Sequence, residues 1–516
     1  MTAPLDSTLS QWLSFHAANR PDAVALVTHD GNVSYAELAA DVSRLVSGFA
    51  KIGIGRGDAV AAQLPNNREY VVALLAAAGR GAIFQTLHMP YGEHELRYLL
   101  RDSDAKAVLS FGAEKSAAMV SLAGELGNLS TVISVGADCD GAVSYKEVAS
   151  TGTRSGDSVA TAPDDPFLLL YTSGTTAEPK GVPHTYRGFL NNALLSASEL
   201  NIGENSCVLS LAALTHLYGL FTLQLSLASG GASALLPAFN PQTLFDDLVS
   251  LRPDAVFAAP AHFAPFVSAG TLTAEHLAGI RLLCLSGATV PPPLANTLDQ
   301  MMKNGEVIQL WGMSELQAGA YGRPGEPLEK RITTTGTASP RTQLRVVDGD
   351  EQMLGADEEG ALEVKGPSVF GGYLNKPNET DAAFTQDGWF RTGDLAKIDA
   401  DGFVTLTGRS KELINRGGVK YNPVEIEIEV MKLPQVVQCA IVPVVDDVLG
   451  ERGCLCVQLL PDQKLALETV ISALSEAGIA KYKWPERLEI LEELPMTPTR
   501  KVMRGRLANM IQDGKE

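Results

Sequence analysis

The sequence predicts an α/β protein: a large N-terminal domain of two α/β subdomains and a small β-barrel, hinged to a small α+β C-terminal domain. Three observations support this fold class. From about residue 23 to 236, helical stretches alternate with short β-branched runs, the pattern of layered α/β folds. Between residues 336 and 406, strand-like runs are separated by Gly- and Asp-rich turns, as in a small antiparallel barrel. After Gly408, a shorter stretch of mixed strands and helices follows.

The chain of 516 residues is too long for one hydrophobic core, so we expect more than one domain. We place the N-terminal domain at residues 1–408, with its barrel at about 331–408, and the C-terminal domain at 409–516. In the first domain, apolar runs such as 107–111 and 132–135 are typical of buried parallel strands.

Composition and charge exclude several classes of partner. The 41 Lys and Arg residues against 60 Asp and Glu residues give a net charge of −19, which repels nucleic acid and anionic membranes. The start of the chain lacks a basic segment followed by an apolar run, and no apolar run is long enough to span a bilayer. The six cysteines are scattered, without zinc spacing or a disulfide framework. We therefore expect a cytoplasmic protein that binds neither nucleic acid nor membrane.

A loop suited to phosphate follows the apolar run at residues 166–170. Its sequence, residues 171–181, is Tyr-Thr-Ser-Gly-Thr-Thr-Ala-Glu-Pro-Lys-Gly, which differs in order from a Walker A loop. Hydroxyl side chains and backbone N–H groups can converge on phosphate oxygens there, and a lysine can neutralise a leaving polyphosphate. A polar turn is the alternative, but the full run in this order favours phosphate binding. The expected phosphate contacts are Thr172, Ser173, Gly174, Thr175, Thr176 and Lys180.

On these residues the sequence resembles the adenylate-forming superfamily of acyl-CoA synthetases, peptide-synthetase adenylation domains and luciferases. The resemblance runs from Trp12 to about Leu507. It implies that a carboxylic acid reacts with ATP to form an acyl-adenylate, and that the acyl group then passes to a thiol. The implied cofactors and cosubstrates are ATP, Mg²⁺ and coenzyme A. One position departs, because Ala177 stands where the family usually has glycine, which bears on the geometry of the loop.

A carboxylate follows the strand-like run at residues 308–313. Mg²⁺ needs hard oxygen ligands, and one carboxylate with phosphates and waters suffices. The resemblance implies that Glu315 holds Mg²⁺ beside the phosphates, together with Thr175, whereas Glu315 alone would be taken for a solvated acid. Ser314 replaces the commoner threonine and keeps its hydroxyl. Further nucleotide contacts implied by the resemblance, the first two beside adenine, are Gly287, Ala288, Trp311, Gly312, Met313 and Ser314.

Residues 389–395, Trp-Phe-Arg-Thr-Gly-Asp-Leu, resemble the ribose-binding motif of the family. A carboxylate at Asp394 can accept hydrogen bonds from both ribose hydroxyls. Arg409 is similar to the arginine that contacts the nucleotide ribose or phosphate. We expect both residues to bind the nucleotide.

Residues 258–263 and 214–219 are expected to form a largely apolar acyl pocket. The resemblance places His216 beside this pocket, although a lone histidine among apolar residues is usually a core residue, and both interpretations stay open. Dihydroxybenzoate-activating relatives often carry asparagine at the position of Leu217. The pocket residues predicted from the sequence are Leu217, Pro260 and His262. If His216 is functional, it is expected to act in catalysis by screening the acid site and moving when the thiol arrives.

Residues 495–502 resemble the C-terminal motif that carries the adenylation lysine, Lys501. A carboxylate needs no base; it needs relief from repulsion by the α-phosphate, which a lysine ammonium supplies. Arg500 occupies the usual glycine position and is the second departure from the family pattern. In relatives a small domain rotates about a residue matching Lys411 between the two steps, and Gly417 and Gly418 then approach the pantetheine arm.

Within the superfamily, the sequence is most similar to alicyclic and aromatic acyl-CoA ligases and to aryl-acid AMP ligases. We therefore expect an acyl-CoA synthetase for an apolar acid, whether alicyclic, aromatic or medium-chain. One alternative is a stand-alone adenylating enzyme that loads a carrier protein. A second is a nucleotide-binding regulatory protein with degraded catalysis, suggested only by Ala177 and Arg500. The small-molecule acid is the expected partner, and the sequence leaves a homodimer open.

Overall fold

The computed structural model describes residues 2–150, 158–172, 179–446, 449–497 and 501–513. In these residues the strands are β1 (Val24–Thr28), β2 (Gly31–Ser34), β3 (Ala59–Gln63), β4 (Ile83–Thr86), β5 (Ala105–Phe111), β6 (Thr131–Val135), β7 (Val143–Ser144), β8 (Pro166–Thr172), β9 (Lys180–Thr185), β10 (Cys207–Ser210), β11 (Ala232–Ala234), β12 (Ala255–Ala258), β13 (Leu282–Leu285), β14 (Glu306–Met313), β15 (Gln317–Tyr321), β16 (Thr337–Ala338), β17 (Gln343–Val347), β18 (Gly360–Lys365), β19 (Phe390–Ile398), β20 (Val404–Arg409), β21 (Ile414–Arg416), β22 (Val419–Tyr421), β23 (Val436–Asp446), β24 (Gly450–Leu459) and β25 (Arg487–Ile490).

The α-helices of the same residues alternate with the strands in the first part of the chain. They are α1 (Leu9–Asn19), α2 (Tyr35–Lys51), α3 (Arg68–Gly79), α4 (Glu93–Asp102), α5 (Ala113–Glu125), α6 (Tyr145–Ala149), α7 (Tyr186–Glu199), α8 (Leu217–Ser229), α9 (Leu244–Leu251), α10 (Ala264–Ser268), α11 (Pro292–Met301), α12 (Leu328–Thr333), α13 (Pro377–Ala383), α14 (Val424–Val430), α15 (Leu467–Glu476) and α16 (Arg504–Asp513). Short 3-10 helices cover Pro260–His262 and Lys481–Lys483.

Two large, mostly parallel sheets form the N-terminal part. One has seven strands in the order β7-β6-β5-β3-β4-β8-β9, and the other has nine in the order β16-β15-β14-β13-β12-β10-β11-β1-β2. The non-sequential order reflects crossover connections through helices, as parallel pairing requires. The apolar runs predicted as buried strands are β5 and β6, and the predicted α/β class is confirmed.

One hydrophobic core joins both large sheets. Its buried members include Leu26 of β1, Phe84 of β4 and Leu168 of β8. The same cluster contains Leu362 of β18 and Phe390 of β19, so the next sheet along the chain packs onto this core as well. The N-terminal strands are therefore fixed relative to one another by shared apolar burial.

The segment predicted as a small barrel is a four-stranded antiparallel sheet in the order β17-β18-β19-β20. Among the described residues, β17 and β20 each pair on one side within this sheet, so the sheet is open where the sequence predicted closure. Turn chemistry predicted β17, β18 and β20 but did not identify β19 as a strand. Closure depends on pairing between the first and last strands, which local sequence does not encode.

The last sheet contains β21 to β25 and has its own apolar clusters. One cluster places α14 and α15 on one side, through Ile426 and Val470, and the other places α16 on the opposite side, through Leu507. This α+β segment carries the predicted adenylation lysine just before α16. In the described parts of the chain, no helix combines the length and apolarity needed to cross a bilayer.

Candidate active site

The site lies where several parallel strands end. Strands β4, β12, β13 and β14 end at Thr86, Ala258, Leu285 and Met313. In open α/β sheets, ligands bind in the crevice beyond the carboxyl ends of the strands. The predicted residues Pro260, Gly287 and Glu315 each follow one of these ends within three residues, so topology alone directs them to one crevice.

Asp394 is a buried polar group of this crevice whose two carboxylate oxygens both have partners. It lies on β19 opposite Arg409 of β20, and its side chain is buried. The Trp311 indole Nε1–H donates to its Oδ2 at 2.8 Å, and the Arg409 Nε lies 2.8 Å from its Oδ1. The charge of Asp394 raises the pKa of Arg409. Both oxygens of Asp394 are thus oriented by charge-assisted contacts, and the carboxylate can present its remaining lone pairs to a diol.

Glu315 lies at the bottom of the same crevice and is only 5% exposed. The Tyr373 hydroxyl donates to its Oε1 at 3.0 Å, and the Lys180 Nζ lies 4.5 Å from the centre of the Tyr373 ring. Burial raises the pKa of Glu315, opposed by its hydrogen bonds and by the charges of Arg409 and Lys180. The buried Glu315 carboxylate is a hard oxygen ligand of the kind that Mg²⁺ prefers.

The turn between β14 and β15 aims Glu315. A Cβ on Gly312 would lie 2.0 Å from the carbonyl oxygen of Gln317, so only glycine fits this position. Gln317 itself has a φ of +72°, a strained conformation for a residue with a side chain. Its Nε2–H donates to Gln224 Oε1 at 2.7 Å inside the core. This hydrogen bond anchors the turn that carries Met313, Ser314 and Glu315 to the protein core.

The predicted phosphate loop bridges an antiparallel pair of strands. Thr172 ends β8, Lys180 begins β9, and the two residues are register partners. Ser173, Gly174, Thr175 and Thr176, and with them the departure at Ala177, lie outside the described residues. The described ends place Lys180 beside Tyr373 and Glu315, as a phosphate-binding lysine requires.

Lys501 is brought into the crevice from the C-terminal segment. Its side chain is exposed to solvent, yet atoms of both segments surround it, so it lines an open cleft. Burial within the cleft lowers the pKa of Lys501, and the charge of Arg409 lowers it further, whereas Asp394, Glu412 and Glu315 raise it. Lys501 thus lies within electrostatic reach of Arg409, Asp394 and Glu315. Arg500 lies outside the described residues.

His216 lies at the acyl end of the cleft, just before α8. Its Nδ1 accepts the backbone N–H of Tyr218 at 3.2 Å, so the neutral ring carries its proton on Nε2. Burial, then the charges of His88 and Lys501, lower its pKa to about 3. The ring is therefore neutral at pH 7, and its effect on a carboxylate comes from an N–H donor.

The other predicted acyl residues are mostly buried near this end. Leu217 is the first residue of α8, and Pro260 opens the short helix after β12. His262 accepts the Ala259 N–H through Nδ1 at 2.9 Å and its ring contacts Phe239. The structure thus gives His262 a helix-capping role. Gly287 has a φ of +87°, and Ala288 beside it is exposed at the edge of the crevice.

Two residues of the site were missed in the sequence. His88 follows β4, and its ring stacks on that of His216 with centres 6.2 Å apart, while its Nδ1 lies 2.8 Å from Thr215 Oγ1. Burial lowers the pKa of His88 to about 4. The second is Tyr373, which connects Lys180 to Glu315. A histidine just after a buried strand is a signal that could have identified His88; nothing local indicated Tyr373.

The glycines predicted to meet pantetheine form a tight turn between β21 and β22. Gly417 and Gly418 have φ values of +61° and +89°, which favour glycine at both positions. The Gly417 N–H donates to the Leu449 carbonyl at 2.7 Å, within the same segment. In this arrangement of the two segments Lys501, and not this turn, reaches the site residues. Lys411 is exposed between β20 and β21, and its role as the hinge stays a prediction.

Comparison with known proteins identifies the family. Residues 13–374 match the model described as AMP-binding enzyme, and residues 425–501 match AMP-binding enzyme C-terminal domain. A salicylyl-CoA synthase / salicylate adenylyltransferase of Streptomyces sp is 31% identical over 534 residues, covering 99% of this chain and 94% of that protein. The medium-chain fatty-acid–CoA ligase of Escherichia coli (strain K12) is 28% identical over 508 residues, covering 97% and 89%. ATP-bound MatB from Rhodopseudomonas palustris superposes with a TM-score of 0.90 at 28% identity, with 100% of both chains covered.

The first family model spans well over half of the chain, and the matched relatives align along nearly its whole length. The resemblance to adenylate-forming acyl-CoA synthetases and the assignment as an enzyme are thereby confirmed. The roles of individual residues rest on the geometry described above. On the convergence of sequence, site and comparison, the chain belongs to the AMP-binding enzyme family.

Proposed function

We propose that this chain activates a carboxylic acid with ATP and transfers the acyl group to coenzyme A. The observation that supports this most directly is the meeting of Lys501, Arg409, Asp394 and Glu315 in one cleft, with His216 at its acyl end. These charges are complementary to the parts of an acyl-adenylate: a diol, a phosphate and an acyl carbonyl. The family supports the same reaction class.

The first half-reaction joins the acid carboxylate to the α-phosphorus of ATP and releases pyrophosphate. The carboxylate is already a nucleophile, so the protein's task is to hold two anions together. The Lys501 ammonium can lie between the carboxylate and the α-phosphate. Asp394 accepts from the ribose hydroxyls, with Trp311 and Arg409 fixing its carboxylate. Lys180 is placed to neutralise the departing pyrophosphate.

The residues present are suited to Mg²⁺. Glu315 offers a buried hard oxygen ligand. The Tyr373 hydroxyl already donates a hydrogen bond to one of its two carboxylate oxygens. We propose that Glu315 holds the ion, with Thr175 as the second residue predicted to contact it. When bound, the ion would neutralise phosphate charge. The protein itself orients the Glu315 carboxylate, through the tight turn at Gly312.

The second half-reaction needs the space that Lys501 occupies. A thiol attacks the acyl carbonyl, the acyl–phosphate bond breaks, and AMP leaves with the thioester formed. We propose that the C-terminal segment, residues 409–516, rotates about Lys411 between the steps and brings Gly417 and Gly418 to the pantetheine arm. Two glycines at positive φ leave an exposed backbone edge without side chains, which suits a close approach.

The acid is proposed to be apolar: alicyclic, aromatic or medium-chain. Leu217, next to His216 in the chain, and Pro260 are buried, and the neutral state of the His216 ring favours hydrogen bonding over charge. Relatives named for medium-chain fatty acids and for salicylate support the same range. A substrate with a second charged group would lack a partner among these residues.

The test is pyrophosphate release with a panel of carboxylic acids, each run with and without coenzyme A, with mass detection of the thioester. Acid-dependent pyrophosphate and a CoA thioester are expected for apolar acids. Pyrophosphate without thioester would favour a carrier protein as the acceptor. Absence of pyrophosphate with every acid contradicts the proposal. Lys501→Gln serves as the matched variant, which is expected to lose adenylation while its fold, followed by melting temperature, is kept.

A further inference from the structure

The loop that carries Lys501 is narrow at its base. Met496 and Val502 form an antiparallel bridge, and the Met503 N–H donates to the Pro495 carbonyl at 2.8 Å. Closer to the tip, Thr497 and Lys501 are joined by a backbone hydrogen bond of 2.7 Å. Because the loop is short, the place of the Lys501 amine depends on how this base is anchored.

Arg504 is the residue that anchors it, three positions after Lys501 and at the start of α16. Its two terminal nitrogens lie 2.6 and 2.7 Å from the two carboxylate oxygens of Glu427, on α14. The same guanidinium donates to the Ile441 carbonyl of β23 at 2.8 Å. A bidentate pair of this kind fixes direction as well as distance, which a lysine ammonium cannot do.

The partner carboxylate is itself held in place. Glu427 is 11% exposed, and its Oε1 also accepts the Ile441 N–H at 2.6 Å. Arg504 is 22% exposed, so the pair is shielded from water to a degree that surface ion pairs are not. The base of the Lys501 loop is therefore attached to a rigid part of the C-terminal sheet.

A third contact connects this anchor to the start of the segment. The Arg504 Nε lies 3.1 Å from Glu412 Oε2, one residue beyond Lys411. The Glu412 N–H donates to the Arg409 carbonyl at 3.0 Å, and Arg409 pairs with Asp394. Asp394, the carboxylate proposed to bind ribose, is thus joined to the Lys501 loop by a continuous series of contacts that passes through the predicted hinge.

We propose that Arg504 is a positioning residue for adenylation: with Glu427 it fixes the Lys501 loop, and with Glu412 it ties that loop to the hinge. This inference rests on the proposed function. Its consequence is specific. Lys501 acts only in the first half-reaction, so loss of Arg504 must slow adenylation and leave thiolysis of a ready-made acyl-adenylate intact.

The test measures the two half-reactions separately in the full-length chain. Adenylation is followed by pyrophosphate release with acid and ATP, and thiolysis by thioester formation from supplied acyl-adenylate and coenzyme A. Arg504→Met is expected to slow adenylation by about 100-fold, the cost of misplacing a group by roughly 1 Å, with thiolysis unchanged. Arg504→Lys keeps the positive charge but loses the bidentate geometry of the guanidinium. Its adenylation rate should therefore lie between those of Arg504→Met and the unchanged chain.

Two further variants make the result decisive. Glu427→Gln removes the same ion pair from the other side, and the double variant should be no slower in adenylation than either single one. Arg506→Met, an exposed arginine on the same helix, is the control and should behave as the unchanged chain.

The outcomes separate the inference from the proposed function. Equal loss of both half-reactions in Arg504→Met, or an adenylation rate like that of the unchanged chain, overturns the positioning role. If the unchanged chain releases no pyrophosphate with any acid, the proposed function fails and the inference falls with it. Loss confined to adenylation supports the inference.

Discussion

Replacing Trp311 with phenylalanine should weaken ATP binding without affecting the acid. The change removes the indole N–H that donates to Asp394 Oδ2 at 2.8 Å and keeps an aromatic ring in the buried position. Hydrogen bonds to charged groups contribute about 1.5–3 kcal/mol. At about 1.4 kcal/mol per tenfold change, the KM for ATP should rise about 10- to 150-fold.

The assay is the initial rate of pyrophosphate release, with ATP and acid varied separately. Tyr321→Phe is the matched control, since it also removes one aromatic donor from a partly buried carboxylate contact, the 2.7 Å bond to Glu199 Oε2. The control should lower the melting temperature and leave the KM for ATP unchanged. A Trp311→Phe enzyme with an unaltered KM for ATP, or with an equal rise in the KM for the acid, would refute the role assigned to this contact.

Three other perturbations test separate parts of the site. Gly312→Ala places a Cβ 2.0 Å from a carbonyl oxygen, so urea unfolding should show a loss of about 1–3 kcal/mol; unchanged stability contradicts the turn geometry. His88→Ala removes the contact to Thr215 and should raise the KM for the acid about fivefold, for a loss of about 1 kcal/mol, with that for ATP constant. Adenylation needs protonated Lys501, whose pKa is lowered, so the rate should fall as pH rises through a midpoint below the usual 10.5; a midpoint at or above this value contradicts the environment described.

The predicted site residues that lie together in the structure share one property: each lies in a short run whose local order defines it. Trp311 lies near the end of β14 and Glu315 follows that strand, whereas Asp394 and Arg409 lie on adjacent strands of a predicted antiparallel region. Local order predicts strands and their ends, and strand ends converge by topology. The resemblance to the family assigned these separate motifs to one site, and the convergence of strand ends is the physical reason that several of them lie close together.

What the sequence did not predict depends on contacts between distant segments. The hydrogen bond from Tyr373 to Glu315 joins residues 58 apart, and that between His88 and Thr215 joins residues 127 apart. Such contacts are set by how sheets and helices pack, which spacing within one motif does not report. The four-stranded sheet is a similar case, since β17, β18 and β20 were predicted but its open edges were not.

With Lys180 in its proposed role as a phosphate contact, the cation–π contact between Lys180 and Tyr373 means that ATP would bind by exchange. The lysine already has a favourable neighbour, and such contacts contribute about 0.5–2 kcal/mol. The phosphates must compete for the ammonium, so the measured affinity for ATP is a difference between two interactions. When pyrophosphate departs, the ring is available to receive the lysine again. The aromatic ring thus limits how tightly the product can be retained, which favours turnover over tight binding.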